Sequence, residues 1–359
     1  MFKKMLALLL SAFLVICGVA FAGEEDYYAE GAEAYNAGDY AAAAEYFAQA
    51  AEQGHPGAQY NLGMLYKNGR GVEQSFEKAA EYYEMAAAQG HALALFQIGV
   101  LYYNGTGMDQ SYEKAMEYFL AAAEQDIPLA LYNVGFMYRA GIGVKQSDEE
   151  AVKYFERAAD LGDTTAMVML VGMYWEGSGV EQSDKTAFKY ALRAAELGDA
   201  LGQFNAGYMY QMGTGVEQSY EQALIWYGKA VEQNEVNAQF NLGSMYEAGE
   251  GVEQSFEQAA VWYEKAAAQG DVEAQYRLGK LYELGNGVEQ SYEQAAAYYQ
   301  LAADQQYPDA LSALGVLFQN GTGVEQSGEK AMELLQAAAE LGSQEAVAWI
   351  EANKVPSGK

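Results

Sequence analysis

The stretch Gly69-Arg70-Gly71-Val72-Glu73-Gln74-Ser75 decides the fold, because it recurs. Its first glycine returns at Gly105, Gly141, Gly177, Gly213, Gly249, Gly285 and Gly321, always 36 residues on and without an insertion. A period of this length signals stacked supersecondary units rather than one closed core. Each unit holds two helical patterns. Before the loop, Ala58, Leu62, Leu65 and Tyr66 fall on one helix face. Gly69 and Gly71 stop that helix, since glycine accepts positive φ without a Cβ clash. After the loop, Ser75 starts a second helix whose apolar stripe is Ala79, Tyr82, Tyr83 and Ala86, and Gly90 closes it.

Columns compared between repeats sharpen this reading. The Ala79 column is alanine in every copy, through Ala115 and Ala151 to Ala331, as a close helix crossing demands. The Tyr66 column is tyrosine except at Phe318, which suits a packing ring with a local hydrogen bond. Val171 stands where other units have Gly63, Gly99, Gly135 and Gly207, and a larger residue there is expected to push two helices apart.

The unit Ala58-x-x-x-Leu62-Gly63-x-Leu65-Tyr66-x-x-Gly69-x-Gly71-Val72-x-Gln74-Ser75, then Ala79-x-x-Tyr82-Tyr83-x-x-Ala86-Ala87-x-x-Gly90, resembles the Sel-1-like repeat, a cousin of the tetratricopeptide repeat. The resemblance implies an all-α, right-handed α/α superhelical solenoid of 36-residue helix-turn-helix repeats. It also implies an adaptor role in assembling complexes, with exported bacterial members tied to envelope maintenance and host interaction. Residues 23–54, with the short turn Asn36-Ala37-Gly38-Asp39, are more like a plain tetratricopeptide capping pair. Sel-1-like repeats then cover 55–342, and 343–359 are a final capping helix and tail.

Residues 1–22 read as a secretory signal peptide. Lys3 and Lys4 precede an apolar run from Met5 to Val19, and Ala20-Phe21-Ala22 offers a cleavage site. The expected location is therefore periplasmic or extracellular in a bacterium, with no membrane insertion after cleavage. Cys17, the only cysteine, would leave with that segment, so no disulfide or thiol chemistry is expected.

The formal net charge of −30 argues against a nucleic acid partner, because phosphates would be repelled. His55 and His91 are the only histidines and share one column after a helix-ending glycine, which gives them a loop role. No metal site and no cofactor follow from such a set. Ser75-Phe76-Glu77-Lys78, Ser111-Tyr112-Glu113-Lys114 and Ser327-Gly328-Glu329-Lys330 match the Ser-x-x-Lys signature of penicillin-recognising enzymes. The same column reads Ser219-Tyr220-Glu221-Gln222 and Ser147-Asp148-Glu149-Glu150, however, which is capping-box chemistry. A serine repeated for capping is no unique nucleophile, so no catalytic residue is assigned. The Gly-x-Gly loops follow a helix and not a strand, which excludes a dinucleotide site.

Two first-helix columns vary while the rest stay uniform. One runs Met64, Val100, Phe136, Gly172, Tyr208, Ser244, Lys280, Val316, and the other Lys67, Tyr103, Arg139, Trp175, Gln211, Glu247, Glu283, Gln319. Variation within a uniform repeat suggests release from packing. Tyr103, Phe136, Arg139, Trp175 and Tyr208 are therefore expected to be exposed and to bind a protein or peptide along a concave groove. The leading function is an exported binding scaffold. The alternative is a cell-envelope hydrolase or β-lactam-binding enzyme, which needs one pocket with perturbed titratable groups instead of an open groove.

Overall fold

The computed structural model describes residues 23–353. The expected signal peptide, residues 1–22, and the tail after 353 lie outside the described residues. The chain divides into two compact units with the boundary between Gln182 and Ser183. The first unit holds α1 (Glu24–Asn36), α2 (Tyr40–Glu52), α3 (Pro56–Asn68), α4 (Phe76–Ala87), α5 (Ala92–Asn104), α6 (Tyr112–Ala123), α7 (Pro128–Ala140), α8 (Asp148–Asp160) and α9 (Thr164–Glu176). The second holds α10 (Asp184–Glu196), α11 (Ala200–Met212), α12 (Tyr220–Glu232), α13 (Val236–Ala248), α14 (Phe256–Ala268), α15 (Val272–Leu284), α16 (Tyr292–Asp304), α17 (Pro308–Asn320), α18 (Gly328–Glu340) and α19 (Gln344–Ala352). Each unit is all-α, a solenoid stack in which every helix packs on its chain neighbour.

The core of each pair is set by size matching. The first helix carries glycine where the second sends a large ring. A Cβ on Gly63 would stand 2.8 Å from the Tyr83 ring, and one on Gly243 2.7 Å from the Tyr263 ring. The invariant alanine belongs to the same crossing. The Ala79 carbonyl lies 3.2 Å from that Cβ position on Gly63, and Ala79 itself is fully buried. In the repeat holding Val171, the ring column holds Ala191, so bulk and smallness trade columns there. Each of these two residues is buried in its own unit.

The loop glycines have separate duties. Gly141 ends α7 in the left-handed conformation. Gly143 (φ 68°) lies against the start of α6, one repeat back, where a Cβ would meet the Tyr112 carbonyl carbon and oxygen at 2.7 Å. The first glycine thus terminates a helix and the second brings two repeats together. The loop glutamine locks the turn: Gln110 Nε2 donates to the Tyr103 carbonyl at 2.9 Å, and Gln182 Nε2 to that of Trp175 at 2.7 Å.

Serine caps every second helix of the repeats. Ser75 Oγ accepts from the Lys78 N–H at 3.2 Å, and Ser111 and Ser327 repeat the bond at 3.3 Å. The reciprocal half of the expected capping box is different. The serine hydroxyl donates to the glutamate two residues on, Ser75 to Glu77 Oε2 at 3.0 Å and Ser147 to Glu149 Oε2 at 3.1 Å. The serine backbone N–H that the third-position side chain was expected to reach donates instead to the preceding helix, from Ser75 to the Tyr66 carbonyl and from Ser147 to that of Tyr138, both at 3.0 Å. The Glu77 backbone N–H and the serine together hold the Glu77 carboxyl below the usual carboxylate range.

Candidate partner-binding face

All five candidate residues are half-buried, where one helix considered alone predicts exposure. The reason is the next repeat. A first-helix residue meets the residue 30 positions further on, in the first helix of the following pair. Lys67 Nζ donates to Gln97 Oε1 at 2.8 Å, and Arg139 Nη1 reaches Met169 Sδ at 4.0 Å, both across that offset. The neighbouring first helix therefore covers one side of Lys67 and of Arg139.

In the first unit, Phe136 and Arg139 of α7 come together. With Ala140 and Met169 they line an open hollow of about 410 Å³. Tyr103 of α5 rests edge-on against Tyr112, the ring centres 5.2 Å apart. Trp175 of α9 is pinned at its carbonyl by Gln182. In the second unit, Tyr208 of α11 lies 6.2 Å, centre to centre, from Phe204.

The column of Lys67, Tyr103 and Arg139 has a duty in the second unit that the sequence did not reveal. There its members hold the buried phenol of the second helix. Tyr227 Oη donates to Gln211 Oε1 at 2.8 Å, Tyr263 to Glu247 Oε2 at 2.6 Å and Tyr299 to Glu283 Oε2 at 2.5 Å. In the first unit the corresponding rings are Tyr83, whose buried hydroxyl has no hydrogen-bond partner among the described residues, and Phe119 and Phe155, which have no hydroxyl to hold. Tyr103 and Arg139 are the column members of those two repeats. The Arg139 guanidinium forms no ion pair among the described residues and reaches the Met169 thioether instead. Arg157 pairs with Asp126 at 2.8 Å, and Arg277 with Glu273 at 3.6 Å. A half-buried guanidinium keeps several unused donors, which an acceptor oxygen of a ligand would satisfy.

The Ser-x-x-Lys lysines are engaged elsewhere. Lys78 Nζ sits 5.0 Å above the Tyr66 ring, Lys114 4.9 Å above Tyr102 and Lys330 5.1 Å above Phe318. Serine is a cap and lysine a cation over a ring, so the pair forms no nucleophile and base. The two histidines have a definite job within their loops: Nδ1 of His55 accepts from the Ala58 N–H at 3.1 Å, and that of His91 from Ala94 at 3.3 Å. Both cap first helices. Among the described residues, no cluster of three or more His, Cys, Asp or Glu is arranged to hold a metal ion, and no helix is long and apolar enough to cross a membrane.

Tandem helix pairs, a ring-into-glycine crossing and a glycine loop seated on the preceding repeat define a repeat scaffold. The chain belongs to the Sel1 repeat family, whose model matches residues 21–55, 56–91, 92–127, 128–163, 166–199, 200–235, 236–271, 272–307 and 308–343. Two solved structures are similar over most of the chain. One is c5321, a protective antigen present in uropathogenic Escherichia coli strains and displaying an SLR fold. It is 30% identical, with a TM-score of 0.75, covering 92% of this chain and 79% of that one. The other is a Sel1 repeat protein from Oxalobacter formigenes, 31% identical, with a TM-score of 0.70, covering 86% of this chain and 89% of that one. No curated protein matches the sequence.

Proposed function

We propose that this Sel1 repeat scaffold is exported and binds a protein or peptide segment through Tyr103, Phe136, Arg139 and Trp175 of its first unit. Tyr208 is a further contact on the second unit. The observation that carries this reading is Arg139: its column serves buried phenols in other repeats, yet here it stands beside an apolar hollow with a thioether as partner. A segment that places an apolar side chain between Phe136 and Met169 and an acceptor oxygen on Arg139 satisfies both features. Aromatic and arginine side chains of this kind dominate binding energy in known interfaces.

The signal-like residues 1–22 support export, and with it an adaptor role in envelope complexes or at the host surface. The similar E. coli protein is described as a protective antigen, which agrees with a location that a host can meet. The capping and ring contacts of the Ser-x-x-Lys sets favour this scaffold over an enzyme.

Selection of displayed peptides on residues 23–359, with Arg139→Ala and Trp175→Ala in parallel, tests the binding face. Peptides whose affinity falls at least tenfold in both variants, at unchanged helicity, support it. Peptides that bind all three proteins equally overturn it. Fractionation with N-terminal sequencing tests export, with a mature start at Gly23 expected.

A further inference from the structure

In the second unit a pair of rings recurs between the helices of each repeat. Phe204 and Tyr227 have centres 6.0 Å apart, Phe240 and Tyr263 5.6 Å, and Tyr276 and Tyr299 5.7 Å. The next repeat breaks the series at both positions, with Ser312 and Leu335. The residue after Ser312 shortens too. Its column reads Asn205, Asn241 and Arg277 before Ala313. On α19 the ring position holds Ala348. Four truncations thus converge on one place.

The structure has a hollow of about 340 Å³ there, open to solvent and lined by Ser312, Ala313, Val316, Leu335, Glu345, Ala348 and Trp349. Its surface is almost wholly apolar. The Ser312 hydroxyl is already engaged, donating to the Pro308 carbonyl at 3.0 Å and sharing a 2.8 Å bond with Ser343 Oγ. Its other walls are aliphatic apart from the Trp349 indole and the Glu345 side chain. The last repeat of a solenoid ordinarily turns a polar face outward; this one keeps an apolar hollow where its neighbours keep rings.

We propose that this hollow is a binding site for an aromatic side chain of a partner's peptide segment, which restores the ring that the repeat lacks. An apolar hollow with few polar groups to hold water gains by taking an apolar ligand. A planar ring can also stack on Trp349. The site is separate from Arg139 and stands or falls independently of it.

The test uses the full chain with its tryptophans labelled on the indole nitrogen, titrated with N-acetyl-phenylalanine amide and, as the control, N-acetyl-leucine amide. The Trp349 signal should shift saturably with the phenylalanine probe, at least tenfold more weakly with the leucine probe, while Trp226 and Trp262 stay put. Ser312→Phe and Leu335→Phe refill the hollow from within. In whichever variant melts no lower than the wild type, the shift should disappear. A Trp349 signal that does not move, that moves equally with both probes, or that still moves in a refilled, folded variant overturns the proposal.

Discussion

Gly99 lies so close to Phe119 that a Cβ on the glycine would stand 2.7 Å from the ring carbons Cδ1 and Cε1. Phe119 is almost completely buried, so its ring has nowhere to retreat. Alanine in mid-helix would by itself gain about 1 kcal/mol over glycine. Overpacking a closed core costs about 1–3 kcal/mol. The clash wins, and Gly99→Ala is expected to lower stability by roughly 1 kcal/mol in urea unfolding. The columns of Val171 and Ala191 indicate how such a clash is relieved: bulk moves to the first helix and leaves the second. Gly99→Val with Phe119→Ala should therefore be more stable than the sum of the single changes by about 1 kcal/mol or more. Strict additivity would mean that the glycine does not exist for the ring.

Gly141 and Gly143 share a positive φ but differ in surroundings. A Cβ on Gly141 comes nearest the Gln146 Cβ, at 3.2 Å, with the Gln146 backbone at an ordinary 3.6 Å, whereas one on Gly143 runs into the Tyr112 backbone. Asparagine visits the left-handed region at modest cost, so Gly141→Asn is expected to cost about 1 kcal/mol or less. Gly143→Asn should cost at least about 2 kcal/mol, because a backbone must move. Amide exchange locates the damage. Fast exchange spreading over 112–143 is expected for Gly143→Asn alone, since repeats open locally at a weakened junction.

Most of the fold is legible because its signals are local. Glycine ends helices, serine starts them, and alanine marks crossings within one repeat. The binding face is legible only in part, since a single helix does not reveal its neighbour. The half-burial of Arg139 comes from Met169, on the next repeat. The role of its column as a phenol acceptor needed the pairing of Glu247 with Tyr263. The columns show phenylalanine at 119 and 155 in the repeats of Tyr103 and Arg139, but not which group a phenol meets. The C-terminal hollow carried the same kind of signal, in the simultaneous loss of bulk at Ser312, Ala313 and Leu335.

His91 caps α5 through Nδ1 while its ring stacks on Tyr60 at 4.9 Å, an arrangement that requires the neutral imidazole. Burial, and then the charge of His55, lower its pKa below the ordinary value, with its own backbone opposing. The unfolded chain titrates near ~6.5. Between the two values the unfolded state holds more protons, so stability rises with pH. The contribution is complete above the unfolded value and is lost as pH falls through the folded one. His91→Asn keeps the cap without titrating. Its melting temperature should fall less than that of the wild type between pH 7 and 5. Parallel curves would remove His91 from the pH response.

Gln59 is buried, and its amide joins two repeats. Its Nε2 donates to the Ala51 carbonyl at 3.2 Å, and its Oε1 accepts from Gln89 Nε2 at 2.8 Å. Gln89 also reaches the Gly54 carbonyl at 2.9 Å. The same pair recurs as Gln203 with Gln233, Gln239 with Gln269 and Gln275 with Gln305. Both positions are leucine at Leu131 with Leu161 and at Leu311 with Leu341, while Leu95 stands opposite the exposed Gln125, whose amide donates to the Gly90 carbonyl at 3.0 Å. Each buried glutamine of this column thus has a glutamine partner, as hydrogen-bond energetics favours. Removing one partner strands a buried polar group, at about 1–3 kcal/mol, whereas replacing both with apolar groups is nearly neutral. Gln89→Leu alone is therefore expected to lower stability by roughly 1–2 kcal/mol, and Gln59→Leu with Gln89→Leu to restore most of it. A double variant as unstable as the single one would mean that the amides hold the backbone at Ala51 and Gly54 more than they hold each other.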